Sequence, residues 1–201
     1  MSTALPMFPL GSVLLPTMVL PLHVFEPRYR QLMHDVGPDG RFGVVMIERG
    51  SEVGGGDARG QVGCVAQVAA AEELDDGRWH VVSFGTQRFV VECWHDDDPY
   101  PQADITILDE TSVADRDDGA WPALELSFRG LLDRLVPLGG SAPADIELSD
   151  DPAVATYQMA AVGPFETLDQ YRILGTDLPE VRRDLLFDAI DGVRMVLDAE
   201  R

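Results

Sequence analysis

Residues 8–33, FPLGSVLLPTMVLPLHVFEPRYRQLM, decide how this chain begins to fold. Pro9, Pro16 and Pro21 push the residues before them away from the helical region, so the apolar groups around them read as short extended segments over 5–10, 13–15 and 19–24. Pro21 cannot donate to a ladder, which makes the last of these an edge strand. The period then changes. Tyr29, Leu32, Met33 and Val36 fall at i, i+3, i+4 and i+7, one apolar face of a helix over about 26–36. Pro27 suits its first turn, and Gly37-Pro38-Asp39-Gly40 ends it.

Downstream, residues 41–110 read as all-β. Strands are expected at 42–47, 61–70, 79–84, 87–94 and 103–108, with a Gly-rich loop over 50–60. Asp75-Asp76-Gly77-Arg78 is a hairpin turn. Gly85-Thr86 interrupts an apolar run and predicts a bulge or sharp bend. So many short strands with hairpins suggest a compact barrel, and no βαβ spacing supports a dinucleotide fold. The polar stretch 111–119 then marks a boundary, expected between residues 1–112 and 113–201. Beyond it the pattern is helical. Trp121, Leu124, Phe128, Leu131, Leu132 and Leu135 form one stripe. Further helices are expected over 152–162 and 165–174, and a last one capped by Asp177 with Val181, Leu185, Ile190, Val193 and Leu197 as its apolar side. The fold class is therefore α+β.

Charge excludes several functions. Acidic residues number 35 against 15 basic ones, and every basic residue is arginine. The first fifty residues balance, with Glu26, Asp35, Asp39 and Glu48 against Arg28, Arg30, Arg41 and Arg49, so the net charge of -20 arises downstream. Such a field repels phosphate backbones and anionic headgroups, which argues against nucleic-acid and membrane partners. The absence of lysine removes the Walker A phosphate loop, the Ser-Lys dyad and side-chain Schiff-base chemistry. Gly54–Gly56 lack the spacing of a phosphate loop as well. The proline-broken start carries no basic n-region and no membrane-length run, so a cytoplasmic location is expected.

Two stretches carry a family resemblance. In the first, Pro9-Leu10, Pro21-Leu22 and Phe25-Glu26-Pro27-Arg28-Tyr29 are similar to the amino-terminal signature of the Lon proteases. In the second, VVSFGTQRFVV, Gly85, Arg88 and Phe89 resemble that family's Gly-x-x-Arg-Phe segment, and Val62-Gly63-Cys64-Val65 resembles the strand between. The resemblance implies a PUA-like β pseudo-barrel followed by a C-terminal helical bundle. It further implies a part in recognising polypeptide substrates. The chain ends at residue 201, before an ATPase or peptidase could follow, so proteolysis is not expected of it.

The expected function is accordingly a non-catalytic polypeptide-binding or adaptor module, with unfolded or specific client polypeptides and a separate protease as partners, and no cofactor. Leu14, Leu15 and Met18, with Val19 beside them around Pro16-Thr17, and Phe25 and Tyr29 are the candidate peptide-binding residues if the first loop is exposed. Alternatively, these side chains close the barrel. Glu26 is expected to cap the first helix and to pair with Arg88, because both charges lie in apolar segments. Arg28, Gly85 and Phe89 complete the motif positions. Cys64 and Cys93 read as buried thiols, with a disulfide as the alternative. No His or Cys spacing suits a metal, and no G-x-S-x-G elbow is present. A small-ligand module, or a hydrolase using His23 or His80 with scattered carboxylates, is the competing reading.

Overall fold

The strands come first and the helices follow. The computed structural model describes residues 3–50, 58–114, 118–139 and 146–199. Gly54–Gly56 and Gly140 lie outside the described residues. Two compact units divide the chain, Met1–Asp109 and Glu110–Arg201.

In the first unit β1 (Thr3–Leu10), β2 (Val19–Val24), α1 (Pro27–Val36), β3 (Arg41–Arg49), β4 (Ala58–Glu73), β5 (Trp79–Trp94) and β6 (Gln102–Ile107) form one sheet in the order β2-β5-β4-β3-β1-β6, with β5 also paired to β6. That last pairing closes a ring of five strands and leaves β2 outside it, bonded among the described residues to β5 alone. β1 runs parallel to β3 and antiparallel to β6. The parallel step is possible because β2 and α1 supply the crossover between β1 and β3. The ring encloses Met7, Val45, Val65, Phe89, Val91, Ala103 and Ile105, at least one residue from each of its strands.

The run interrupted by Gly85 proves to be a single strand, β5. Its first half pairs β2, its second half pairs β6, and β4 lies against both. The irregularity expected at Gly85 is a register shift, in which Cys64 faces Arg88 and Ala66 faces Gly85. One extra residue on β5 lets the strand bend from one partner to the other. Gly63 serves the core directly: a Cβ there would stand 2.4 Å from Phe89 Cζ.

α1 begins at Pro27 and buries Tyr29, Leu32 and Met33, with Gly37 at φ 71° ending it. Tyr29 stacks on Phe8 of β1 with ring centroids 4.1 Å apart, which seats the helix on the sheet. The two cysteines are thiols and do not form a disulfide. Cys64 is buried, whereas Cys93 is exposed, because the shift between Val91 and Cys93 turns that thiol outward.

The second unit holds α2 (Ala120–Leu135), a 3-10 turn (Val136–Leu138), α3 (Pro152–Val162), α4 (Thr167–Leu174) and α5 (Pro179–Ala199). Its chain segment starts at Glu110 because side chains there already serve the helices: Tyr157 donates to Glu110 at 3.1 Å, and Val113 packs with Trp121 and Ala153. The Ala114 N–H donates to the Glu180 carboxylate at 2.9 Å and holds it below the usual carboxylate range. α2 buries Trp121, Leu124, Phe128, Leu131 and Leu132, while Leu135 is half-buried. Asp151 caps α3, accepting from Ala153 N at 3.1 Å.

α5 differs from the sequence reading in two ways. It begins at Pro179, so Leu178, not Asp177, holds the cap position, and Leu178 O accepts from Val181 and Arg182. Its core face is Pro179, Arg182, Leu186 and Ile190. Val181 is exposed, and Leu185, Val193 and Leu197 are only half-buried. The reason is Arg182, fully buried and therefore invisible to a hydrophobic-periodicity argument. Its guanidinium lies over the Tyr157 ring at 4.2 Å and donates to Glu110 Oε2 at 3.2 Å, to Thr176 O at 3.1 Å and to the Tyr157 hydroxyl. Among the described residues, no helix is long and apolar enough to cross a membrane.

Candidate functional site

The loop over 11–18 does not form the strand expected at 13–15, and it does not offer its leucines to solvent. Leu14 and Leu15 are buried, at 2% and 0% exposure. Backbone bonds hold the loop down. Thr17 N donates to Gly85 O at 2.9 Å, Gly85 N donates to Met18 O at 2.9 Å, and Met18 N donates to Leu15 O at 3.1 Å. Thr17 takes φ 70°, a left-handed conformation unfavourable for a β-branched residue, and the clasp on Gly85 sustains it. Gly85 must lack a side chain, because a Cβ would stand 2.1 Å from Leu15 O. The motif glycine therefore anchors the first loop. With the leucines locked inward, the exposed-tip reading is corrected for Leu14 and Leu15.

What the clasp leaves accessible is the next stretch. Met18 is half-buried, Val19 is 60% exposed and Phe25 is 53% exposed. Between them β2 runs with one edge unpaired among the described residues, where its ladder is with β5. Beside β2 lies a groove of about 230 Å³, lined by Phe8, Leu10, Leu22, Val24, Phe25 and Tyr29 together with Pro21, His23 and Glu26. Tyr29 itself is buried and contributes to the floor through its stack on Phe8. Of the expected contact residues, the structure brings Phe25 and Tyr29 to one groove and places Leu14 and Leu15 in the core. Val19, expected beside Met18, is accessible here, whereas Phe8, Leu10 and Leu22 carried no such expectation. Alternation along an edge strand marks Val19, but nothing local marks the two residues of β1.

The charged motif residues either pair locally or are buried. Glu26 stands at the N-cap of α1 without a side-chain cap bond, and its carboxylate accepts from Arg28 Nε at 3.2 Å. The expected Glu26–Arg88 pair is therefore not formed. Arg28 sits two residues from Glu26, and its guanidinium lies 4.5 Å from the Tyr29 ring centroid. Local reach wins over a long-range pairing. Arg88 is fully buried, and its backbone O accepts from Leu108 N at 2.9 Å, so it stands at the join of β5 to the end of β6. Phe89, its neighbour, faces the barrel interior.

Strand pairing brings His23 and His80 together, with ring centroids 5.1 Å apart, and sets Glu72 opposite His80. They line an open depression of about 500 Å³ whose other residues are Pro21, Leu22, Ala70, Ala71, Val81 and Val82. That lining contains no hydroxyl or thiol to act as a nucleophile. Among the described residues, no group of three or more His, Cys, Asp or Glu side chains could hold a metal ion.

The sequence profile of the ATP-dependent protease La (LON) substrate-binding domain matches residues 4–192. The chain belongs to the LON substrate-binding domain family. Lon protease 2 of Herpetosiphon aurantiacus is 28% identical over 85% of this chain, and the Lon protease of Parabacteroides distasonis is 28% identical over 72%. The chain spans about a fifth of the length of these curated relatives, 21% and 18%. The crystal structure of a Lon N-terminal domain protein from Xanthomonas campestris superposes with a TM-score of 0.68 at 25% identity, covering 92% of this chain and 98% of that one. The N-terminal domain of a Mycobacterium avium complex Lon protease gives 0.69 at 15% identity, over 94% and 98%, a likeness of fold alone. The α+β architecture of the LON domain, a barrel with a helical part after it, is thus shared. Membership of this family is consistent with substrate recognition.

Proposed function

We propose that this chain is a non-catalytic polypeptide-binding module of the cytoplasm, which holds an extended apolar segment of an unfolded client in the groove beside β2 and can present it to a separate protease. The observation that carries the reading is the exposure of Val19 and Phe25 at the two ends of an unpaired strand edge, beside an apolar groove, in a member of a substrate-binding family. An edge offers main-chain hydrogen bonds without regard to sequence, and the groove adds apolar contact, a combination suited to many clients. Pro21 limits how many donors the edge supplies, which favours weak and reversible capture.

The test is fluorescence anisotropy with labelled casein as a permanently unfolded probe, without nucleotide. Wild-type protein should bind, and the V19S/F25S double variant should bind roughly tenfold more weakly, a loss of about 1.4 kcal/mol. Both substitutions are at exposed positions, so unfolding midpoints should match. Equal binding by the two proteins at equal stability would remove the groove from the function.

A further inference from the structure

α5 carries more apolar surface than its own unit covers. Because Arg182, Leu186 and Ile190 take the core face, a second stripe is displaced round the helix: Leu185, Ala189, Val193 and Val196, at i, i+4, i+8 and i+11. This stripe forms one wall of a groove of about 590 Å³, and the opposite wall is Pro164, Glu166, Asp169 and Arg172 from α4 and the turn before it. Gly192 also lines the groove, with nothing within 4 Å of where its Cβ would stand. Val196 is 57% exposed at one end. From Leu185 to Val196 the wall rises about 16 Å at 1.5 Å per residue, the length of three helical turns.

The rim is acidic. Glu166, Asp169 and Asp188 face the groove against one cation, Arg172, which is held by Asp169 at 3.5 Å. Glu166 and Asp188 have no ion-pair partner among the described residues. We infer that this groove docks a basic amphipathic helix of another polypeptide, of three to four turns, its apolar ridge against Leu185, Ala189 and Val193 and its lysine or arginine flanks against Glu166 and Asp188. A helix fits because Ala189 and Gly192 allow close backbone approach, and no strand edge is present here for an extended chain. A second copy of this chain fits poorly, since two-fold pairing of the same face would set unpaired carboxylates against each other in a protein of net charge -20. This surface lies in the helical unit, and the inference does not depend on the barrel groove.

The probe is a labelled synthetic helical peptide of about 18 residues (about five turns) with leucine on one face and lysine on its flanks, compared with the same peptide carrying glutamate in place of lysine. Anisotropy should show the lysine peptide binding wild type and binding Gly192→Trp, which fills the groove from an open position, roughly tenfold more weakly. The E166R/D188R variant should reverse the preference and take the glutamate peptide instead. The F25S variant should bind the lysine peptide as wild type does. The inference is overturned if Gly192→Trp binds the lysine peptide unchanged while its helical circular dichroism is intact, because attraction to the acidic surface at large would then suffice. It is overturned equally if F25S weakens that binding, or if wild type sediments as a dimer that Gly192→Trp makes monomeric.

Discussion

Arg182 illustrates what one side chain can organise. Fully buried, it ties Glu110, Thr176 and Tyr157 to α5. Replacing it with leucine would remove a donor to the Tyr157 hydroxyl, a charge partner of Glu110 and the stack on the Tyr157 ring, for an expected loss of about 2–4 kcal/mol, read from the denaturant midpoint. Lysine should not rescue it, because a single ammonium cannot reproduce the planar stack and divergent donors. Gly85→Ala is expected to cost about 1–3 kcal/mol by the same measurement, since the new Cβ would drive against Leu15 O and loosen both bonds to the first loop. Tyr100 supplies a pH test. Burial first, and then its hydrogen bond to Asp35 at 2.8 Å, push its hydroxyl up to about 12 from the ordinary 10. A raised folded-state value means that stability is whole below pH 10 and falls as pH climbs from 10 towards 12, because only the unfolded chain ionises there. Tyr100→Phe should flatten that part of the curve relative to wild type, as followed by denaturant midpoints across pH 9–12.

Among the elements, β2 is the one whose behaviour hangs on a proline. Pro21 sits opposite Val82 and cannot donate outward, so the exposed edge is interrupted at its middle. Pro21→Val should restore a donor and a β-forming side chain there, and static light scattering should then show self-association at concentrations where wild type scatters as a single species. The edge position of β2 was legible in advance from Pro21, as were α1 from its i, i+3, i+4, i+7 face and α2 from its stripe. Legibility failed where tertiary contacts overrule local pattern. Leu14 and Leu15 look like a loop tip until Gly85, some seventy residues away, is seen to bind that loop. The stripe on α5 is displaced because a buried arginine takes a core position that periodicity assigns to aliphatic residues. Glu26 found a partner two residues away, so the wider Glu26–Arg88 pairing never arises. The groove was half legible: Phe25 and Tyr29 belong to the motif, whereas Phe8 and Leu10 reach it only through the path of β1.

For the whole molecule, charge and connectivity matter most. A net charge of -20 with no lysine should leave duplex DNA unbound at about 0.1 M salt, where a labelled oligonucleotide should show no anisotropy change. Connectivity acts earlier, during synthesis. β1 is bonded on one side to β3 and on the other to β6, so the first of the six strands to be made is also the last to be completed on both edges. About 100 residues separate these partners, and at roughly 5–20 residues per second β1 waits on the order of 5–20 s for β6. Throughout that interval Met7 and Leu5 have no closed interior to enter, and the newborn chain is itself an unfolded apolar segment in want of a holder.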